Sequence, residues 1–552
     1  MRRFARWLCA LWLFSLCGAS GAAERSRLVY SCGSNAGGDL SPHQYSSNQM
    51  YAQDMIYEPL VRYTGSGEIE PCLAESWEVS PDGKVYTFHL RRGVTFSDGT
   101  PWNARAAKAN FDAVMANAGR HEWLGLIGEL EGTEAADEHT LRLILKDAYG
   151  PTLADLSLIR PLRFLSPAQF GADGGTAKGI KAPVGTGPWV HAEARKGEYD
   201  LFKRNESYWG KKPELAEVLV KVVPEGDSRV AALETGDLDL IFGTSGHGAA
   251  QISLEAFKRL EATGRFETGV SNPRATRALA INSARGAGRD LAVRRAVQHA
   301  IDRDAIIRGV FLEVEPPAPF LFSTAMPYCD AGLAPYEHDL EKAKALLEEA
   351  GWKQEGDYRS KDGQELAFDL CFVGNDAEQK TIAEVVQSDL RKAGIRVNLI
   401  GEESDAYFKR QRDGEFGMIF NDTWGAPYDP HAMCASMRVP SHADYQAQSG
   451  LPMKKELDEK IGLVLRATTD AERSALYRDI LTTLHDQAVY FPISYKTLVK
   501  VHRKGLVGVG FPAFVDSVPF ARDGPVHRQA LPRPDPHPDL RFDPGVPRPE
   551  AG

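Results

Sequence analysis

Apolar residues alternate with polar ones at Tyr86, Phe88 and Leu90, and again at Val94 and Phe96 beyond Arg91-Arg92-Gly93. A period of two predicts two strands around a turn. The spacing changes at Asn103–Ala116, where Ala104, Ala107, Phe111, Val114 and Met115 recur every three or four residues, as on one face of a helix. Leu291–Val310 carries the same stripe, with a break at Asp302–Asp304 where a new helix can be capped. Leu340–Ala350 ends at Gly351, a helix stop. Phe368–Val373, Glu378–Ala393 and Val397–Ile400 then read as strand, helix and strand. That order predicts an α/β unit with some parallel pairing.

Composition adds little at first. The 552 residues are 43% hydrophobic and 25% charged, close to the globular average, and the length accommodates about three compact units. A net charge of −10 disfavours a dedicated nucleic-acid binder, whose footprint is basic. The N-terminus is more informative. Arg2, Arg3 and Arg6 precede the apolar run Trp7–Cys17, and small residues follow to Ala23. Those are the three parts of a signal peptide over residues 1–23, and the run is too short to span a bilayer, which takes about 20 residues. Arg2-Arg3 hints at twin-arginine export, but the strongly apolar run fits the general secretory route, and Leu16 before Cys17 disfavours lipidation. Cleavage near Ala22 or Ala23 takes the net charge from −10 to −13 and implies a soluble protein in the periplasm. It also leaves Cys32, Cys72, Cys329, Cys371 and Cys434, an odd number with no C-x-x-C pair. Cys32 and Cys72, in one segment, are the candidate bridge.

From residue 522 to 552 eight prolines stand among few apolar residues, which predicts an extended tail without regular structure. Catalytic signatures are missing: there is no G-x-S-x-G elbow, P-loop or H-E-x-x-H. Gly185-Thr186-Gly187-Pro188-Trp189 lacks the third glycine and the lysine of a phosphate loop. A secreted hydrolase is therefore a remote alternative, and no enzyme activity is expected.

Tyr57-Glu58-Pro59-Leu60-Val61, Leu73-Ala74-Glu75-Ser76-Trp77 and Phe96-Ser97-Asp98-Gly99-Thr100-Pro101 together resemble the signature of the extracellular solute-binding proteins for peptides and nickel that feed ABC importers. Gly185–Trp189, Asn205–Trp209, Glu234–Asp237 and Val293–Arg303 agree, so the likeness spans about Leu28–Phe520. The resemblance implies an α/β fold of the type II periplasmic-binding-protein kind: two lobes with a hinge, the first enlarged by an extra subdomain. Lobe I is placed at 24–269, lobe II at 270–489, and a return to lobe I at 490–521. It also implies a monomer that delivers its solute to the permease subunits of an ABC importer.

Within the family the likeness is strongest to the nickel-binding members, through Arg412-Asp413-Gly414, Trp424–His431 and Met437–Asp444, with Asn48–Met50, Arg120–Trp123 and Arg160–Phe164. It implies His442 as the direct protein ligand to the metal, Arg120 and Arg160 as anion-binding arginines, and Trp123, Trp424 and Tyr428 as pocket aromatics. Tyr45 and Met50 match the opposite wall. The chemistry is coherent. One histidine holds a transition ion poorly, whereas two arginines grip carboxylates and tryptophans stack on planar groups. The implied cargo is Ni2+ as a chelate with free histidine or a small polycarboxylate, bound less well as pH falls through the histidine range. Plainer readings stand beside these: core packing for Trp123, Trp424 and Met50, an internal ion pair for Arg160 and a helix-end charge for Arg120. His431 competes with His442, although Asp429-Pro430 suggests that it caps a turn. Peptide-binding members place an acid shortly after the pocket tryptophan. Gly425–Tyr428 offer none there, so dipeptide capture, like haem capture, is the alternative.

Overall fold

The computed structural model describes residues 26–44, 50–243, 252–514 and 517–521, together with the two-residue strand Arg541–Phe542. The leader, Tyr45, Asn48, Gln49 and nearly all of the tail lie outside the described residues. Arg541–Phe542 pairs antiparallel with Leu506–Val507, so at this point the tail departs from the expectation of no sheet pairing.

Two lobes are built on separate sheets. The first contains a four-stranded sheet in the order Arg27–Cys32, Glu217–Val222, Tyr199–Arg204, Trp189–Arg195. Its extra subdomain is an antiparallel sheet in the order Ala74–Val79, Val85–Leu90, Thr140–Leu145, Leu130–Ala135, covered by the helix Ala104–Met115. The second lobe is a five-stranded sheet in the order Arg396–Glu402, Ala367–Val373, Met418–Phe420, Ala275–Ile281, Tyr490–Lys496. Ala367–Val373 runs parallel to Arg396–Glu402 and the helix Ala377–Lys392 connects them, which is the predicted β-α-β unit. Tyr490–Lys496 pairs with Ala275–Ile281, and Val499–Arg503 then lies between Leu240–Phe242 and Phe266–Val270. The crossing back to the first lobe therefore falls at Thr497–Leu498 and not at residue 490.

Local signals placed most elements correctly. Asn103 caps Ala104–Met115 by accepting from the Ala106 amide, and Asp302 separates Leu291–Ala300 from Arg303–Gly309 by accepting from Ala305. Gly83, at φ 71°, turns the chain between the first two strands of the subdomain. Val94 and Phe96 are buried but form no strand. Their segment closes on itself through the single bridge Thr95–Pro101.

The signature motifs converge on one buried carboxylate. Glu58 is fully buried and accepts from Arg62 Nη2 (2.7 Å), Thr186 Oγ1 (2.9 Å), Tyr208 Oη (3.0 Å) and Trp209 Nε1 (2.7 Å). Gly185 and Gly187 let the backbone settle on the Ile56 carbonyl. A Cβ would stand 2.1 Å from that oxygen at Gly185 and 2.6 Å from it at Gly187. The glycines of this stretch are thus packing residues with no bearing on phosphate binding.

All five described cysteines are buried, and none is joined to another in a disulfide. The candidate Cys32–Cys72 bridge is not formed. Cys32 sits in the core around the first sheet, while Cys72 belongs to the subdomain core with its Sγ 3.9 Å from Glu58 Oε1. Burial pushes the Cys32 and Cys371 thiols up to about 12, which keeps them protonated and unreactive. Among the described residues no helix is long and apolar enough to cross a membrane.

Candidate functional site

One apolar cluster joins the lobes, combining Phe88, Leu141 and Leu143 of the subdomain with Met433, Met437, Leu465 and Tyr477 of the second lobe. Trp123, Trp424 and Tyr428 pack against it. From there five side chains form a continuous row. The Arg160 guanidinium lies 4.4 Å from the Trp123 ring centroid, and Trp123 meets Tyr428 at 6.4 Å. Tyr428 meets Trp424 edge-on at 6.4 Å, and Trp424 meets His442 at 6.0 Å. The row crosses from one lobe to the other between Trp123 and Tyr428, with a cation at one end and an imidazole at the other.

Each end is placed by local structure. Trp424–Tyr428 follows the strand Met418–Phe420, and Asp429 closes this loop by accepting from the Trp424 and Gly425 amides at 3.2 and 2.9 Å. Gly425 has φ 80°, and a Cβ there would stand 2.8 Å from the Arg274 carbonyl oxygen. His442 is the residue before the helix Ala443–Gln448 and makes no side-chain capping bond, so its ring is not committed to the helix. Burial holds its pKa below the usual imidazole value, partly offset by Asp444. The imidazole is therefore neutral, the state that ligates metal, at physiological pH.

Arg120 lies in the last turn of the short 3-10 helix Ala118–His121 and is exposed, the position expected of a helix-end charge, yet it is one turn from Trp123. Arg160 is partly buried on the segment held by Arg163. Arg163 donates to Asp54 Oδ1 (2.5 Å), the Tyr57 carbonyl (2.9 Å) and the Leu158 carbonyl (2.9 Å). Met50 begins the helix Met50–Ile56, is buried, and takes no part in the aromatic row. His431 does not cap the turn. Asp429 does so, and His431 opens the helix His431–Ser436 with its Nε2 3.0 Å from Asp155 Oδ1.

Sequence reasoning assigned nothing to His121, although it stands between Arg120 and Trp123. It is 3% exposed, and neither ring nitrogen has a hydrogen-bond partner; the buried Trp123 Nε1 also has none. Burial, with Arg160 and Arg120 adding to it, pushes His121 down to about 4, and burial does the same to His43. Between about pH 4 and 6.5 these two histidines thus bind fewer protons in the folded chain than in the unfolded chain, so their contribution to stability falls as pH drops through that window, opposed in part by Asp429, which burial raises to about 6. His43 alone accounts for up to ~3 kcal/mol. Urea midpoints followed from neutral pH to about 4 should decline accordingly, and a flat profile would contradict this assignment.

Among the described residues no group of three or more His, Cys, Asp or Glu side chains is arranged to hold a metal ion. What the arrangement offers is a flat aromatic wall between a guanidinium and a neutral imidazole. It suits a planar or chelated anion better than a bare cation.

This fold and this cleft define an extracytoplasmic solute-binding protein. The model of "Bacterial extracellular solute-binding proteins, family 5 Middle" matches residues 68–445, and the chain belongs to that family. It is 46% identical over 491 residues to the nickel-binding periplasmic protein of Escherichia coli (strain K12), covering 89% of this chain and 93% of that one. The crystal structure of NikA from Brucella suis in complex with Fe(III)-EDTA is 50% identical, with a TM-score of 0.86, and covers 91% of this chain and 100% of that one. The dipeptide-binding protein of Escherichia coli (strain K12) is 26% identical, covering 88% and 92%.

Proposed function

We propose that this protein captures a nickel–chelator complex in the periplasm and delivers it, as a monomer, to the permease subunits of an ABC importer. The observation that carries the reading is the row from Arg160 through Trp123, Tyr428 and Trp424 to His442. Arg160 and Arg120 would receive the chelator's carboxylates, the tryptophans its flat faces, and His442 would fill an open coordination position on the metal. Tyr45 and Met50 are assigned to the opposite wall on the family likeness alone. The similarity to a nickel-binding relative at 46% identity and to a relative holding Fe(III)-EDTA at 50% supports a metal chelate as cargo.

Asp429 argues against the peptide alternative. It is the first acid after Trp424, but it is 4% exposed and turned onto the loop's backbone amides. With both oxygens taken by those amides and almost no access to solvent, it is a poor receptor for an ammonium group. Calorimetric titration with Ni2+ alone, Ni2+ with histidine, and a dipeptide tests the reading. Tight binding is expected for nickel with histidine and not for the dipeptide; the reverse order would overturn it. Affinity should decline as His442 protonates. Because burial lowers that pKa, the loss should begin at lower pH than an ordinary imidazole would give, and binding that never declines on acidification would remove His442 from the metal.

A further inference from the structure

We infer that His431 and Asp155 form a clasp across the cleft that holds the two halves of the binding row at their working separation. The inference rests on the proposed site but not on the identity of its cargo. His431 Nε2 and Asp155 Oδ1 are 3.0 Å apart, and the residues are 9% and 1% exposed. Asp155 lies on the helix Thr152–Ser157 of the first lobe, five residues before Arg160. Its second oxygen accepts from the Leu126 amide at 3.2 Å, three residues after Trp123. On the other side His431 follows Tyr428 by three residues, and the Ala432 amide donates to the Tyr428 carbonyl at 2.7 Å. One pair of side chains therefore ties the segments bearing Trp123 and Arg160 to the loop bearing Trp424 and Tyr428.

The physical reason is desolvation. In an open cleft water satisfies both groups. In the closed form they are buried, and a buried carboxylate without its partner is strongly unfavourable. The contact exists only when the lobes meet, so its free energy goes entirely into the open–closed equilibrium and hence into apparent affinity. His431 acts here as a positioning residue, with its Nε2 turned to Asp155.

The test compares the full-length chain with His431→Leu, which keeps bulk and loses the bond, and His431→Gln, which keeps a donor. Small-angle scattering without ligand is expected to show His431→Leu shifted to a larger radius of gyration and His431→Gln close to the parent. With nickel and histidine as probe, His431→Leu should dissociate about 10- to 100-fold faster, with glutamine recovering most of the loss. Equal radii in all three chains, or dissociation unchanged in His431→Leu, would overturn the clasp. A scattering shift in a chain that never binds nickel–histidine would support the clasp and reject the cargo. Weakened binding without any scattering shift would reject the clasp and place His431 on the ligand.

Discussion

His442→Ala is expected to weaken capture of the nickel–histidine complex by about 100-fold while leaving the fold intact. The ring makes no capping bond to the helix Ala443–Gln448, so alanine removes no structural hydrogen bond. What holds the segment is backbone: the His442 amide donates to the Val439 carbonyl at 3.0 Å, and the Gln446 amide donates to the His442 carbonyl at 3.2 Å. Both bonds survive the substitution. Calorimetry with nickel and histidine, paired with thermal melts, separates the effects. A variant that binds as tightly as the parent would remove His442 from the metal, and a large fall in melting temperature would mean that the ring supports the loop.

Truncating Arg163 to alanine is expected to cost about 3–5 kcal/mol of folding stability, the usual result of leaving a buried charge without its partner. Its side chain is fully buried against Asp54, which also accepts from Ser517 of the returning segment. The consequence extends to binding, because Arg163 fixes the segment that presents Arg160. Urea denaturation gives the first effect. The second should appear as weakened chelate binding even at temperatures where the variant remains folded. Asp54→Asn keeps an acceptor for Arg163 and should lose less than Arg163→Ala. A change under about 1 kcal/mol in Arg163→Ala would show that water replaces the pair.

Much of this architecture is legible in the chain because it rests on local chemistry. Asn103, Asp302 and Gly83 each satisfy or turn nearby backbone, so their roles are written within a few residues. The strand Ala367–Val373 and the helix Ala377–Lys392 are legible through their periodicity. Val94 and Phe96 mislead because alternation reports burial on one face, and a looped segment can bury alternate residues without a ladder partner. The site divides along the same line. Trp424, Tyr428 and His442 are close in sequence and their grouping follows from a motif. The pairing of His431 with Asp155 spans 276 positions and has no local sign. His121 was within sight in Arg120-His121-Glu122-Trp123, but only burial distinguishes it from a surface histidine.

The convergence of the signature motifs on Glu58 has a consequence for how such proteins diversify. Every hydrogen bond of that carboxylate described above ties one part of the first lobe to another, and none reaches the aromatic row. Scaffold and cargo preference are therefore separately editable. Changing Trp424 or Tyr428 in the loop that Gly425 and Asp429 shape can change what is carried without disturbing the frame, whereas a side chain at Gly185 strikes the Ile56 carbonyl whatever the cargo. A selection for altered ligand preference should accumulate its changes in that loop and return none at the glycines.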